Sequence, residues 1–298
     1  MNRVLVECMQ GIGDQIYSRP FVRLLARENE VYIKTVLPSL YSDIPGLRFL
    51  DPGIPSYRTQ LKSFASTEVD FVKPVRFHRK INWHYGRIEL KKQGIVSHLT
   101  EAFGFEPGID IQFNLPCWDQ ADRIIDNMIY TSKKIAVVRP ATIRKEWICS
   151  SRNANPDYIN WCARMLKDAG YYVISIADCA IDEEWIDGEE PPADLKLHKG
   201  ELGLIGTLSL LKRADIVVGG SGFIIPGTVS AQTNLFVIFG GRGEYDNPHK
   251  VFDLRMNMKK IGWAIPENFC RCNRMEHDCD KTIKNLDDQF FRFMRDIQ

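Results

Sequence analysis

Short apolar runs that end in glycine alternate with stretches of helical hydrophobic period along the whole chain. Residues 4–8 form an apolar run that leads into Gly11, Ile12, Gly13 and Asp14. Residues 14–28 then put Ile16, Tyr17, Phe21, Leu24 and Leu25 on one helical face, with Pro20 inside the stretch and expected to kink it. Residues 31–33 read as a second strand, 39–42 as a short helical piece, 51–57 as a loop and 90–103 as a helix stopped at Gly104. An amphipathic helix over 119–130 serves as a connector, after which the pattern restarts. Strands are expected at 135–138, 171–176, 216–218 and 235–239, and helices at 157–168 (closed by Gly170), 204–213 and 227–231. A terminal helix over 287–297 carries Phe290, Phe291, Phe293 and Met294.

Strands alternating with helices imply parallel sheets. Two such series predict an α/β chain of two Rossmann-like doubly wound domains facing a cleft, with ligands at the carboxyl ends of the strands. The expected boundaries are 1–118, 119–279 and, for the docked terminal helix, 280–298. The second glycine turn matches the first: residues 215–218 run into Gly219, Gly220, Ser221, Gly222 and Phe223. Each turn offers backbone N–H groups and a positive helix end to an anion.

Composition changes this picture little. The chain has 298 residues, of which 44% are hydrophobic and 26% charged, and a net charge of +1. Nothing global argues for nucleic acid or membrane. The absence of a long apolar run or a leader-like start predicts a cytoplasmic protein, and eight cysteines then read as reduced thiols.

In motif order the chain resembles the heptosyltransferase-type family of GT-B glycosyltransferases. The matching residues are Gly11-Ile12-Gly13-Asp14, Ser18-Arg19-Pro20, Val137-Val138-Arg139-Pro140 with Lys145 and Trp147, and Gly200. They continue through Leu208-Ser209-Leu210-Leu211, residues 214–222, residues 235–240 and Pro248. The family usually has an acidic residue where Gly220 stands and a histidine near Ile225; this chain has neither.

The resemblance implies transfer of a sugar from a nucleoside-diphosphate sugar to an acceptor hydroxyl, with inversion and without a catalytic metal. It makes Asp14 the catalytic base; from position alone Asp14 reads as a helix N-cap. Ser221, Gly222 and Phe223 are expected at the donor diphosphate, with Arg139 and Lys145 supplying positive charge. Arg144 reads as part of a solvated basic loop.

The amino-terminal half is expected to hold the acceptor. Residues 73–92 carry Lys73, Arg76, Arg79, Lys80, Arg87, Lys91 and Lys92 against one acid, Glu89, with Phe77, His78, Trp83, His84 and Tyr85 interleaved. Gly13, Arg76, Arg79, Lys80 and Trp83 are therefore acceptor-side candidates, unless the segment is only a solvated surface loop. The acceptor class is anionic, a glycolipid core or polysaccharide. The alternatives are a hydroxymethylated base in DNA, a non-catalytic nucleotide- or nucleic-acid-binding protein of the same fold, and a structural scaffold.

Cys270, Cys272, His277 and Cys279 place four soft ligands within ten residues. They read either as a structural zinc site, spaced more tightly than common zinc fingers, or as packed thiols. His198 and His249 are isolated; Cys149, Cys162 and Cys179 read as buried thiols.

Overall fold

The computed structural model describes residues 1–65, 69–270, 272 and 274–298. It divides into two units, Met1–Cys117 and Trp118–Gln298.

In the first unit the described residues form a parallel sheet from β1 (Asn2–Glu7), β2 (Asn29–Lys34), β3 (Arg48–Leu50) and β4 (Arg79–Asn82), in the order β3-β2-β1-β4. Its helices are α1 (Ile12–Leu25), α2 (Arg58–Ala65), α3 (Arg87–Lys92) and α4 (Ile95–Phe103). α1 runs unbroken through Pro20. On one sheet face Leu5, Tyr32 and Leu50 bury against Val72, Val75 and Phe77. Phe21 of α1 lies 5.5 Å, centroid to centroid, from Phe103 of α4.

The single helix expected over 90–103 is two helices. Gly94, in extended conformation, starts α4, and the Glu89 carboxylate accepts the Gly86 N–H to open α3. Gly104 ends α4 in the left-handed region at φ +72°, which only glycine adopts freely.

The second unit holds a six-stranded parallel sheet: β5 (Ile135–Arg139), β7 (Tyr172–Ile176), β9 (Leu195–Leu197), β10 (Ile216–Gly219), β11 (Asn234–Ile238) and β12 (Ile261–Ala264). Their order is β12-β11-β10-β5-β7-β9. A short antiparallel ladder joins β6 (Thr142–Arg144) to β8 (Glu184–Ile186). The helices are α5 (Asp119–Met128), α6 (Pro156–Asp168), α7 (Gly203–Arg213), α8 (Ile224–Ser230), α9 (Pro248–Val251) and α10 (Leu286–Asp296).

The central strands β5, β10 and β11 are apolar on both faces and almost fully buried, as a sheet covered by helices on both sides requires. The terminal helix belongs to this unit. Phe290 on α10 meets the Phe236 ring edge-on at 5.1 Å and Trp161 of α6 at 5.6 Å. α6 begins at an Asn155 cap whose side chain accepts the Asp157 N–H at 3.0 Å, with Pro156 at the first helical position. Asn155→Ala is expected to lower stability by about 1 kcal/mol, read as a shifted urea midpoint at unchanged slope.

Candidate functional site

In each unit the chain order reverses once within the parallel sheet. The first unit proceeds from β1 to β2 and β3 and returns to β4 on the other side of β1. The second proceeds from β5 to β7 and β9 and returns to β10 on the other side of β5. Loops leaving the carboxyl ends of such strand pairs diverge, and ligands bind in the crevice this opens.

At the first switch point the loop after β1 delivers Asp14. The helix starts at Ile12 with Gly11 as its N-cap, so Asp14 is the third helical residue and not the cap. The positive helix end favours its charge. A Cβ on Gly11 would overlap Asp14 Oδ2, so glycine here lets the carboxylate keep this position.

The loop after β4 delivers Tyr85, whose hydroxyl donates to Asp14 Oδ1. Side chains alternate beyond β4: Ile81, Trp83 and Tyr85 are buried while Asn82 and His84 are exposed. The Trp83 N–H extends the ladder to Glu7 O at 3.3 Å. Beneath Asp14, buried Gln15 donates to Met9 O at 2.8 Å and accepts from Thr35 Oγ1 and Tyr41 OH at 2.9 and 2.8 Å. Gln10 donates to Cys8 O and accepts from Val36 N. The turn that carries Asp14 is thus fixed by satisfied buried amides. Burial also pushes the Cys8 thiol up to about 12.

The acceptor-side candidates separate. Gly13 is the second residue of α1 and half-buried. Arg76 and Lys80 are exposed. Arg79 instead donates to Phe103 O at 2.7 Å, closing the last turn of α4. Trp83 is 2% exposed and stacks on Tyr85 at 6.0 Å and 12°; it is a core residue, not a free platform for a base. Phe77 packs edge-on against Tyr32, and His78 Nδ1 accepts the Arg3 N–H. Within residues 73–92 the chain forms the edge strand β4 and the helix α3, with Arg76, Lys80 and Arg87 exposed and Trp83 and Tyr85 buried, and the outward charges blunt that edge against further pairing.

At the second switch point Arg139 ends β5, and its guanidinium lies 5.4 Å from the Phe223 ring centroid, in the loop after β10. Gly219 permits this: a Cβ there would press on Arg139 Cβ and O at 3.3 Å. Burial and the nearby cations Arg144 and Arg152 push the Arg139 guanidinium down to about 10, against the pull of Glu184. No atom lies within 4 Å of the Cβ position on Gly222, which leaves open space beside the 221–223 amides.

Ser221 Oγ is buried without a hydrogen bond of regular geometry, as is Asp246 Oδ1. Burial pushes the Asp246 carboxyl up, opposed by Arg152 and the Ser221 hydroxyl. Lys145 is exposed in a single helical turn, its N–H held by Glu183 O. Arg144, read from sequence as solvated, pairs with buried Glu184 at 3.0 Å. His198 bonds Ser175 Oγ at 2.8 Å and His249 is exposed. Cys162 is fully buried, whereas Cys149 and Cys179 are half-buried.

Tyr85, Arg152, Arg242 and Asp246 join these sites without a sequence motif to mark them. Only Tyr85 had a legible signal, the alternation Ile81-Trp83-Tyr85.

A third cluster lies in the second unit. The ligand atoms of Cys270, Cys272, His277 and Cys279 all fall within 4.8 Å of one another. The Cys270 Sγ–His277 Nδ1 distance is 3.4 Å, Cys272 Sγ–Cys279 Sγ 3.5 Å and His277 Nδ1–Cys279 Sγ 2.9 Å.

No protein-family model matches the sequence, and no curated protein matches it. Solved structures do. The E. coli ADP-heptose LPS heptosyltransferase II is 12% identical, with 99% of this chain and 97% of that one covered at a TM-score of 0.59. TibC, an iron-containing dodecameric glycosyltransferase from enterotoxigenic E. coli, is 14% identical over 97% of this chain and 71% of its own at 0.59; it has also been solved with ADP-D-β-D-heptose. A glycosyl transferase family 9 protein from Veillonella parvula is 9% identical over 80% of each chain at 0.54. The fold is therefore the GT-B glycosyltransferase fold, with a Rossmann-like parallel sheet in each unit. Among the described residues no helix is long and apolar enough to cross a membrane.

Proposed function

We propose that this chain is a glycosyltransferase of heptosyltransferase type, taking a sugar from an adenosine diphosphate donor to an acceptor hydroxyl. The observation that carries the proposal is Asp14, oriented by Tyr85 at a switch point of a fold whose solved examples include heptosyltransferases. The donor is assigned to the second unit and the acceptor to the first.

In this reading Asp14 takes the acceptor proton as that oxygen attacks the anomeric carbon. Tyr85 orients the carboxylate by donating to Asp14 Oδ1. The bond from the anomeric carbon to the diphosphate oxygen breaks, and its electron pair leaves with the nucleotide. Amides of residues 221–223 and the Arg139 guanidinium meet that charge. The displacement is single and in-line, so the anomeric centre inverts. Lys145 is a further cation for the diphosphate, and Arg76 and Lys80 favour an anionic acceptor by long-range attraction. The DNA-acceptor alternative loses its aromatic support, because Trp83 and Phe77 are packed inside.

The test is a titration with ADP and ADP-heptose, followed by an assay of released ADP with a lipid-core acceptor in EDTA. Release that survives EDTA supports the proposal; absence of ADP binding overturns it. Arg139→Met is expected to weaken ADP about tenfold, the scale of one lost charge-assisted hydrogen bond, by calorimetry. Unchanged affinity removes Arg139 from the donor site.

A further inference from the structure

The Cys/His cluster and the donor-side loops are connected by hydrogen bonds that can be followed residue by residue. Ligand atoms around a tetrahedral zinc, with Zn–S about 2.3 Å and Zn–N about 2.0 Å, stand roughly 3.6–3.8 Å apart. The 3.4, 3.5 and 2.9 Å separations fall below that range while the four atoms span up to 4.8 Å, so a bound ion would spread the closest pairs and draw in the widest by about an ångström. A disulfide would join at most two of the three sulfurs, and it needs about 2.05 Å where Cys272 and Cys279 stand at 3.5 Å. It would leave the third thiol and the imidazole converging on nothing. Three thiolates with one imidazole are a donor set that suits zinc. With all four positions filled by protein, the centre is structural and not catalytic.

Residues between and just after these ligands hold a second segment in place. The Ser151 hydroxyl donates to Arg274 O at 2.7 Å, and Lys281 Nζ donates to Ser150 O at 2.7 Å. The buried Arg242 guanidinium, 9% exposed, donates to Met275 Sδ at 3.1 Å and to Cys149 Sγ at 2.9 Å, while its Nε has no partner. Sulfur is a weak acceptor, so Arg242 is held there by the shape of the segment and not by strong pairing. Arg242 N in turn donates to Asp246 Oδ2 at 3.0 Å. Finally, the carbonyl oxygens of Arg152 and Asn153 occupy the space a Cβ on Gly240 would need, and Ala154 Cβ stands 3.8 Å from the Cβ position of Gly220.

We propose that Cys270, Cys272, His277 and Cys279 bind one zinc ion, and that this ion positions residues 149–154 and Arg242 against the carboxyl ends of β10 and β11. Without the ion the segment that carries Met275 loses its closure. Arg242 and the Ser151 loop then lose the partners that seat them beside the Gly219–Phe223 turn.

Describing that turn as a donor site rests on the function proposed above. Metal content and amide exchange are read without any nucleotide, so either proposal can fail alone.

The experiment begins with purified full-length protein, dialysed against metal-free buffer and analysed by mass spectrometry for zinc and iron. One zinc per chain is expected, with replacement by cobalt giving a thiolate-to-cobalt charge-transfer absorption. No bound metal after incubation with zinc under reducing conditions, or iron as the sole metal, overturns the assignment. Cys270→Ser and Cys272→Ser should lose the ion, and Cys117→Ser, outside the cluster, should keep it; zinc retained in the first two overturns the ligand set. Hydrogen exchange is then compared on the zinc-loaded wild-type protein and on the apoprotein prepared with a chelator under reducing conditions. Exchange at least tenfold faster in residues 149–154 and 240–246, reversed by zinc and absent from residues 1–65, supports the positioning role. Equal exchange in the two states overturns it.

Discussion

Asp14→Asn is expected to lower kcat about a thousandfold, within the range for loss of a positioned general base, while ADP affinity stays within twofold. The substitution keeps the size of the side chain and its ability to accept from Tyr85, so the turn should survive. It removes the charge that takes the acceptor proton. Asp14 is the third residue of α1, and Gln15 beneath it is held by Met9 O, Thr35 Oγ1 and Tyr41 OH. Near-normal turnover in D14N would end the assignment of Asp14 as base. Tyr85→Phe separates orientation from chemistry: it leaves the carboxylate in place without its fixed hydrogen bond, so the fall in kcat should be smaller.

Gly240→Ala is expected to be the most damaging small substitution to stability, about 3 kcal/mol, the upper end of overpacking costs. A Cβ at Gly240 would overlap the carbonyl oxygens of both Arg152 and Asn153. These are backbone atoms, which cannot swing aside as the end of a side chain can. Relief requires the 149–154 segment to move as a unit, away from the partners that hold Ser151. Gly220→Ala is the control: its nearest contacts, Ile238 O at 3.6 Å and Ala154 Cβ at 3.8 Å, are ordinary, and it should cost little. Urea midpoints for the two variants decide the matter, and equal midpoints would show that the 149–154 segment is free to shift.

The strands β1, β5, β10 and β11 and the helices α1, α6 and α10 were legible because each joins an uninterrupted apolar pattern to a clear end signal. Gly170 after α6 and the glycines after β1 and β10 are such signals. What escaped were strands whose pairing is decided by distant partners. β4 is Arg-Lys-Ile-Asn, with one buried residue, and it forms a strand because β1 offers it an edge. The charge of residues 73–92 drew attention to chemistry, when the more telling pattern was the alternation Ile81-Trp83-Tyr85. Arg79 shows the limit from the other side: no local pattern says that its guanidinium closes a helix ending at Phe103. Asp14 and the second glycine turn were visible and Tyr85 was marked only by that alternation; Arg152, Arg242 and Asp246 were not visible, because their roles come from neighbours remote in sequence.

The strand order of the second sheet also bears on synthesis. β5 is flanked by β7 and β10, and all of Ile135, Ala136, Val137 and Val138 are inaccessible in the finished unit. On the ribosome β5 emerges long before residues 216–219, so one side of an apolar strand waits open while the intervening chain is made. In the first sheet β1 waits likewise for β4, but that strand ends at Asn82, so the first sheet is closed before β5 is made. A nascent chain arrested between β9 and β10 therefore carries a finished amino-terminal unit joined to an unpaired, sticky edge. Chaperone demand and insoluble truncation products should concentrate in that window of elongation.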